Sequence, residues 1–141
     1  MRQILKSLVV LSALHVTGLS LAHAEVVIVV NAKSTATSLT KEQASAIFLG
    51  KSPDIPGAGA AVPIDQVDSP LREEFYTKVT GKSTAQIRSH WSKLVFTGRG
   101  AAPRQLANSA EVKKFLASNP NGIGYIETSA VDSSVKVLYS N

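Results

Sequence analysis

The chain has no cysteine, so disulfide bridges, thiol catalysis and cysteine-ligated metals are all excluded. Histidine is nearly as scarce: three in all, and only His90 lies beyond residue 24. With one imidazole, a zinc site or a histidine-based triad is hard to assemble. Lysine and arginine form no stripe. The longest basic run is Lys113-Lys114, which reads as a solvated helix face, so nucleic acid is not an expected partner. A long apolar run is also missing. The stretch from Leu8 through Leu21 is interrupted by Ser12, His15, Thr17 and Gly18, too short and too broken to span a bilayer.

What that stretch does fit is an export leader. Arg2 and Lys6 precede it, and Ala22-His23-Ala24 follows with the small-x-small pattern of a signal peptidase site. Cleavage after residue 24 is expected to leave residues 25–141 as one domain in the periplasm, not membrane-spanning. That domain carries thirteen of the 15 basic residues and all 10 acidic ones, a charge of +3. Without disulfides, its core and hydrogen bonds alone must hold the fold.

The chain then alternates between strand and helix signals. Glu25–Val30, EVVIVV, is a β-branched run whose unbroken apolarity suggests a strand covered on both faces. Thr40 is placed to cap a helix in which Ala44, Ile47 and Phe48 share a face and Gly50 supplies the stop. KSPDIPGAGA, residues 51–60, reads as a Pro/Gly loop without regular structure. AVPID is a short strand. After it Ser69 and Pro70 open a helix with Leu71, Phe75 and Val79 on one stripe, closed by Gly81. Ser83 to Gln86, STAQ, is a capping box for a helix that turns Ile87, Trp91 and Leu94 to the core. FTGRGAAP is a loop, and Ser109 is expected to cap a helix bearing Val112, Phe115 and Leu116. IGYI and VKVLY complete the strands. Strands separated by helices predict an α/β layered fold in a single compact domain.

No residue set points to catalysis. His90 has no acid three or four positions away to orient it, and Asp65 and Asp68 sit among turn formers. Glu73 stands in the first helical turn, where negative charge suits the dipole. Binding is the better prospect. Two junctions are expected to present backbone amides to a ligand, the one ending at Ser69 and FTGRG at 96–100. Arg72 and Arg99 lie beside them, and arginine suits bidentate contact with phosphate or carboxylate oxygens. A competing reading pairs Arg72 with Asp68 one turn before it.

Four segments resemble, in the same order, parts of the periplasmic phosphate-binding proteins of ABC importers: SAIFLGK (Ser45–Lys51), SPLREEFY (Ser69–Tyr76), HWSKLVFTGRG (His90–Gly100) and NPNGIGYI (Asn119–Ile126). The resemblance covers most of residues 26–131 and is similar to little more than one lobe of a type 2 periplasmic binding protein. It implies a non-enzymatic, solute-binding-like protein for phosphate or another small oxyanion, with an ABC permease or other envelope protein as partner and no cofactor. The ligand residues it implies are Ser69, Leu71, Arg72, Asp65 and Arg99. The pattern departs from the family at this site. Pro70 and Leu71 stand where glycine and threonine are expected, which removes an amide donor and a hydroxyl. Asp65 takes the position of an arginine and turns a negative charge toward the anion. Two like charges about 4 Å apart cost on the order of 1 to 4 kcal/mol. The alternative implied by these departures is an accessory or protein-interaction module. Its contact surface would be Asp65, Asp68 and the loops at 31–38 and 51–60.

Overall fold

A computed structural model describes residues 25–140; the export leader expected at residues 1–24 lies outside the described residues. The elements run β1 (Val26–Asn31), α1 (Lys41–Phe48), β2 (Asp54–Ile55), β3 (Gly59–Ala60), β4 (Val62–Gln66), α2 (Pro70–Thr80), α3 (Thr84–Phe96), β5 (Arg104–Leu106), α4 (Ser109–Ser118), β6 (Gly122–Glu127) and β7 (Val135–Ser140), with a 3-10 turn at Thr128–Ala130. Five strands form one sheet in the order β5-β4-β6-β1-β7. β4 runs parallel to both β5 and β6, and β1 runs antiparallel to β6 and β7.

Alternation along β1 divides the core in two. Val26, Ile28 and Val30 join a cluster with Ala44, Ile47 and Phe48 of α1, Phe75 and Val79 of α2, and Ile87 and Trp91 of α3. Val27 and Val29 join Val112 and Leu116 of α4 on the opposite face. Both faces are covered, which is why β1 shows no polar alternation. Each fully buried Phe, Val or Ile contributes roughly 1.5–3 kcal/mol, and the larger cluster lies under the three helices α1–α3. The approach of α4 to β6 leaves no room for side chains at two positions. A Cβ at Gly122 would meet Leu116 Cδ2 at 2.7 Å, and one at Gly124 would meet Val112 Cγ1 at 2.7 Å. NPNGIGYI is thus a packing motif on one side and a core strand on the other.

The helix ends follow local chemistry. Thr40 and Ser83 each accept from the amide three residues on, and Gln43 and Gln86 complete capping boxes. Gly81 ends α2 in the left-handed region at φ +70°. Three expectations need correction. Residues 51–60 hold the β2–β3 hairpin, whose two-residue strands are too short to carry any periodicity. The loop expected at FTGRGAAP holds over residues 97–103, but the residues after it form β5, a polar edge strand to which the sequence reading assigned no element. Asn108, not Ser109, caps α4, accepting from Glu111 N, while buried Ser109 Oγ donates to Glu127 Oε2 at 2.5 Å. Among the described residues, no helix is long and apolar enough to cross a membrane.

Candidate functional site: a buried carboxylate beside an open cleft

Asp65 sits near the end of β4, opposite Gln105 of β5, and is only 2% exposed. A carboxylate so far from water needs strong compensation. Its Oδ1 accepts from Tyr125 Oη at 2.5 Å, Gln66 N at 2.7 Å and Arg72 Nε at 3.3 Å. Its Oδ2 accepts from Tyr76 Oη at 2.9 Å, Arg72 Nη2 at 3.1 Å and Arg72 Nε at 3.2 Å. Six hydrogen bonds from four residues fill the acceptor capacity of both oxygens.

Helical spacing and aromatic packing put the donors there. Arg72 and Tyr76 are four residues apart on α2 and share one face, with the guanidinium 5.1 Å over the Tyr76 ring. Tyr125 reaches in from β6. Its ring stacks on Phe75 at 3.9 Å and 9°, and Phe75 meets Phe48 and Tyr76 edge to face at 4.8 and 5.0 Å. The aromatic cluster therefore aims two phenolic hydroxyls at one carboxylate. Burial, reinforced by the Asp65 charge, raises the pKa of both tyrosines far above the ordinary tyrosine range, so both remain donors. Burial opposes the charge of Arg72, but the hydrogen bonds and charge of Asp65 outweigh it and raise the guanidinium pKa. Gln66 continues the network: its Nε2 donates to Tyr125 O at 2.8 Å and to Ser109 Oγ at 3.3 Å.

Beyond Arg72 the charges step outward to solvent. Arg72 Nη1 donates to Asp68 Oδ1 at 2.9 Å, and Asp68 Oδ2 lies 3.5 Å from Arg88 Nη2. Both outer side chains are about two-thirds exposed, 69% for Asp68 and 67% for Arg88. These four charged residues, with Trp91, Ser92, Val95, Ala102, Pro103 and Gln105, line a cleft of about 580 Å³ between α3, the start of α2 and β5. Its two acids and two arginines balance. The indole Nε1 of Trp91 is a buried donor with no hydrogen-bond partner.

The structure brings together three of the five sequence-predicted ligand residues. Asp65 and Arg72 are joined directly, and Ser69 stands beside them as the α2 cap. Leu71 packs against the apolar cluster instead, and Arg99 is exposed and does not line the cleft. The amides at the start of α2 are mostly used. Pro70 has none, Arg72 N donates to Ser69 Oγ at 3.2 Å, and Glu73 N donates to Ser69 O at 3.1 Å. At most Leu71 has an amide to offer. FTGRG is not a helix start at all; it contains the C-terminus of α3, with Phe96 the last helical residue and Thr97 the cap. The amides of Thr97, Gly98 and Arg99 bond back to Lys93, Val95 and Leu94 carbonyls, and the dipole there disfavours an anion. Asp65, buried, cannot take part in the contact surface expected for an interaction module. His90 Nε2 hydrogen-bonds to Leu49 O at 2.8 Å and ties α3 to the end of α1. Tyr76, Tyr125, Gln66 and Arg88 escaped the sequence reading. A tyrosine hydroxyl inside GIGYI was the available signal for one of them, because a buried phenol needs a partner.

Neither a family model nor a curated protein matches the chain. Solved structures do. A protein assigned as a phosphate ABC transporter substrate-binding protein from Clostridium perfringens, solved with bound phosphate, aligns with TM-score 0.64 and 20% identity over 81% of this chain and 44% of its own. An ABC-type phosphate transport receptor from Vibrio cholerae aligns with TM-score 0.62 and 22% identity over 81% and 45%. PstS from Borrelia burgdorferi gives TM-score 0.53 and 14% identity over 81% and 46%. The chain spans less than half the length of each. It has, over that half, the mixed α/β fold of the substrate-binding proteins of phosphate ABC transporters.

Proposed function

We propose that the protein is a non-catalytic solute-binding module of the periplasm, related to ABC phosphate uptake, that holds a small oxyanion in the cleft over Arg72 and Arg88. The observation that carries this reading is the open cleft itself, set at the β4–β5 edge of the fold. Two arginines and Trp91 are among the residues that line it. The residues give the ligand a particular setting. Arg72 uses one side of its guanidinium on Asp65 and a donor on Asp68, so Arg88 is the cation that solvent and ligand reach most readily. Asp65 and Asp68 offset both arginines, so a phosphate dianion gains little from net charge. Exposed charges are also screened by salt. The affinity expected for free phosphate is therefore weak, with Kd on the order of 1 mM, about −4 kcal/mol. Partners on this reading are phosphate and an ABC permease.

Calorimetric titration with inorganic phosphate at low and moderate salt tests the reading. Binding near the millimolar range that weakens with salt and is lost in Arg88→Gln supports it. No heat at roughly 20 mM phosphate, twenty times that Kd, contradicts it. One observation favours the second reading, an accessory or interaction module. Phe96, at the end of α3 beside cleft residue Val95, is 92% exposed. A photo-crosslinker at position 96 in intact cells should then yield one discrete adduct with an envelope protein, and a smear or none would count against it.

A further inference from the structure

We infer that the Asp65 carboxylate is the tethered occupant of a preformed anion subsite, so that the native subsite takes no diffusible anion, and that the subsite is built for a planar, singly charged oxyanion. This goes beyond the cleft ligand proposed above and does not depend on it. Four observations carry the inference. All the donors converge on two oxygens of one carboxylate: Arg72 through Nε and Nη2, Tyr76 and Tyr125 through their hydroxyls, Gln66 through its backbone N–H. Apart from the Gln66 amide, which neighbours Asp65 on β4, their positions are set by other elements, with Arg72 and Tyr76 on α2, Tyr125 on β6, and the rings fixed by stacking and edge contacts with Phe75. Removing the Asp65 side chain would therefore leave the donors in place. The hole so made has an entrance, since Asp65 and Arg72 both line the cleft. Finally, the donors serve two oxygens and no more: Arg72 reaches both, with Nε shared between them and Nη2 on Oδ2, while one phenol caps each.

The expected ligand of an Asp65→Ala variant is formate, with acetate next. Formate supplies the same two oxygens and fits the volume vacated by the truncated side chain. A phosphate dianion brings a second charge and two further oxygens that the buried site has no donors to match.

The test is thermal unfolding of D65A, D65N and the unmodified protein in sodium formate, sodium phosphate and sodium chloride at equal ionic strength. D65A should melt at least about 10 °C below the unmodified protein, because it leaves a guanidinium and two phenols buried without their acceptor. Formate should raise its melting temperature in a saturable way and recover half of the loss or more. Formate should act on neither the unmodified protein nor D65N, whose side chain still fills the space. Chloride and phosphate should do no more for D65A than they do for the unmodified protein. If D65A does not fold alone, circular dichroism during formate titration is the readout: recovery of the folded signal supports the inference, and a chain that stays unfolded at every concentration overturns it. Equal effects of formate on all three proteins, or rescue of D65A by phosphate and not formate, also overturn it. Phosphate binding to the unmodified protein, which tests the cleft, can succeed or fail without changing this result.

Discussion

Two arginine–aspartate pairs share one cleft in this molecule, and they differ in their distance from water and in the partners that surround them. Arg72–Asp65 is buried, at 5% and 2% exposure, with a 3.1 Å ion pair backed by two tyrosines and a backbone amide. Arg88–Asp68 is two-thirds exposed and 3.5 Å apart. The inner pair cannot separate without stranding charge and hydroxyls in a low-dielectric interior, so it is a fixed part of the fold. The outer pair exchanges with water at little cost and is the one a solute can displace. Charge alone therefore does not mark a binding residue; burial decides whether a charged side chain is committed or available.

The largest test of the contrast is Arg72→Ala. It should destabilise the protein by about 3–5 kcal/mol in urea unfolding, because Asp65 would stay buried without its cation. A loss below about 1 kcal/mol would place the inner pair in the same class as the outer one.

Alkaline pH should attack the inner cluster next. Tyr76 and Tyr125 have folded-state pKa values raised from the ordinary 10.0, so the unfolded chain ionises first. The stability they contribute is complete below pH 10 and is lost as pH climbs from there toward the folded values. The slope should approach about 1.4 kcal/mol per pH unit for each tyrosine. Phenolate absorbance from these two residues should rise together with unfolding, and a smooth rise in the folded protein near pH 10 would contradict their burial against Asp65.

Tyr125→Phe sharpens the contrast by removing one hydroxyl and keeping the stacked ring. The expected cost is about 1.5–3 kcal/mol, the range for a hydrogen bond to a charged group, with half of the alkaline slope removed. The smallest effect belongs to the outer pair. Arg88→Ala should change stability by less than about 1 kcal/mol while abolishing the phosphate binding proposed for the cleft. A large stability loss with intact binding would reverse the roles assigned to the two arginines.

How far the sequence revealed this arrangement depended on distance along the chain. Helix ends are local, so Thr40, Ser69, Ser83 and Gly81 were legible from side-chain chemistry and spacing. The double burial of β1 was legible from its unbroken β-branched run. The strands of the β2–β3 hairpin and β5 were not, because two or three residues show no period and β5 lies at a polar edge. At α4 two adjacent cap formers competed, and the outcome turned on Glu127, eighteen residues from Ser109. The Arg72–Asp68 link, one turn apart, could be anticipated. The bonds that close the site could not. Tyr125 lies sixty residues from Asp65, and only the placement of β6 beside β4 brings its hydroxyl there.

A double-mutant cycle on Asp65→Asn and Arg72→Gln, run beside one on Asp68→Asn and Arg88→Gln, tests the central contrast most directly. Urea unfolding should give a coupling energy above about 2 kcal/mol for the inner pair and below about 0.5 kcal/mol for the outer pair. Equal coupling in the two cycles would contradict the account.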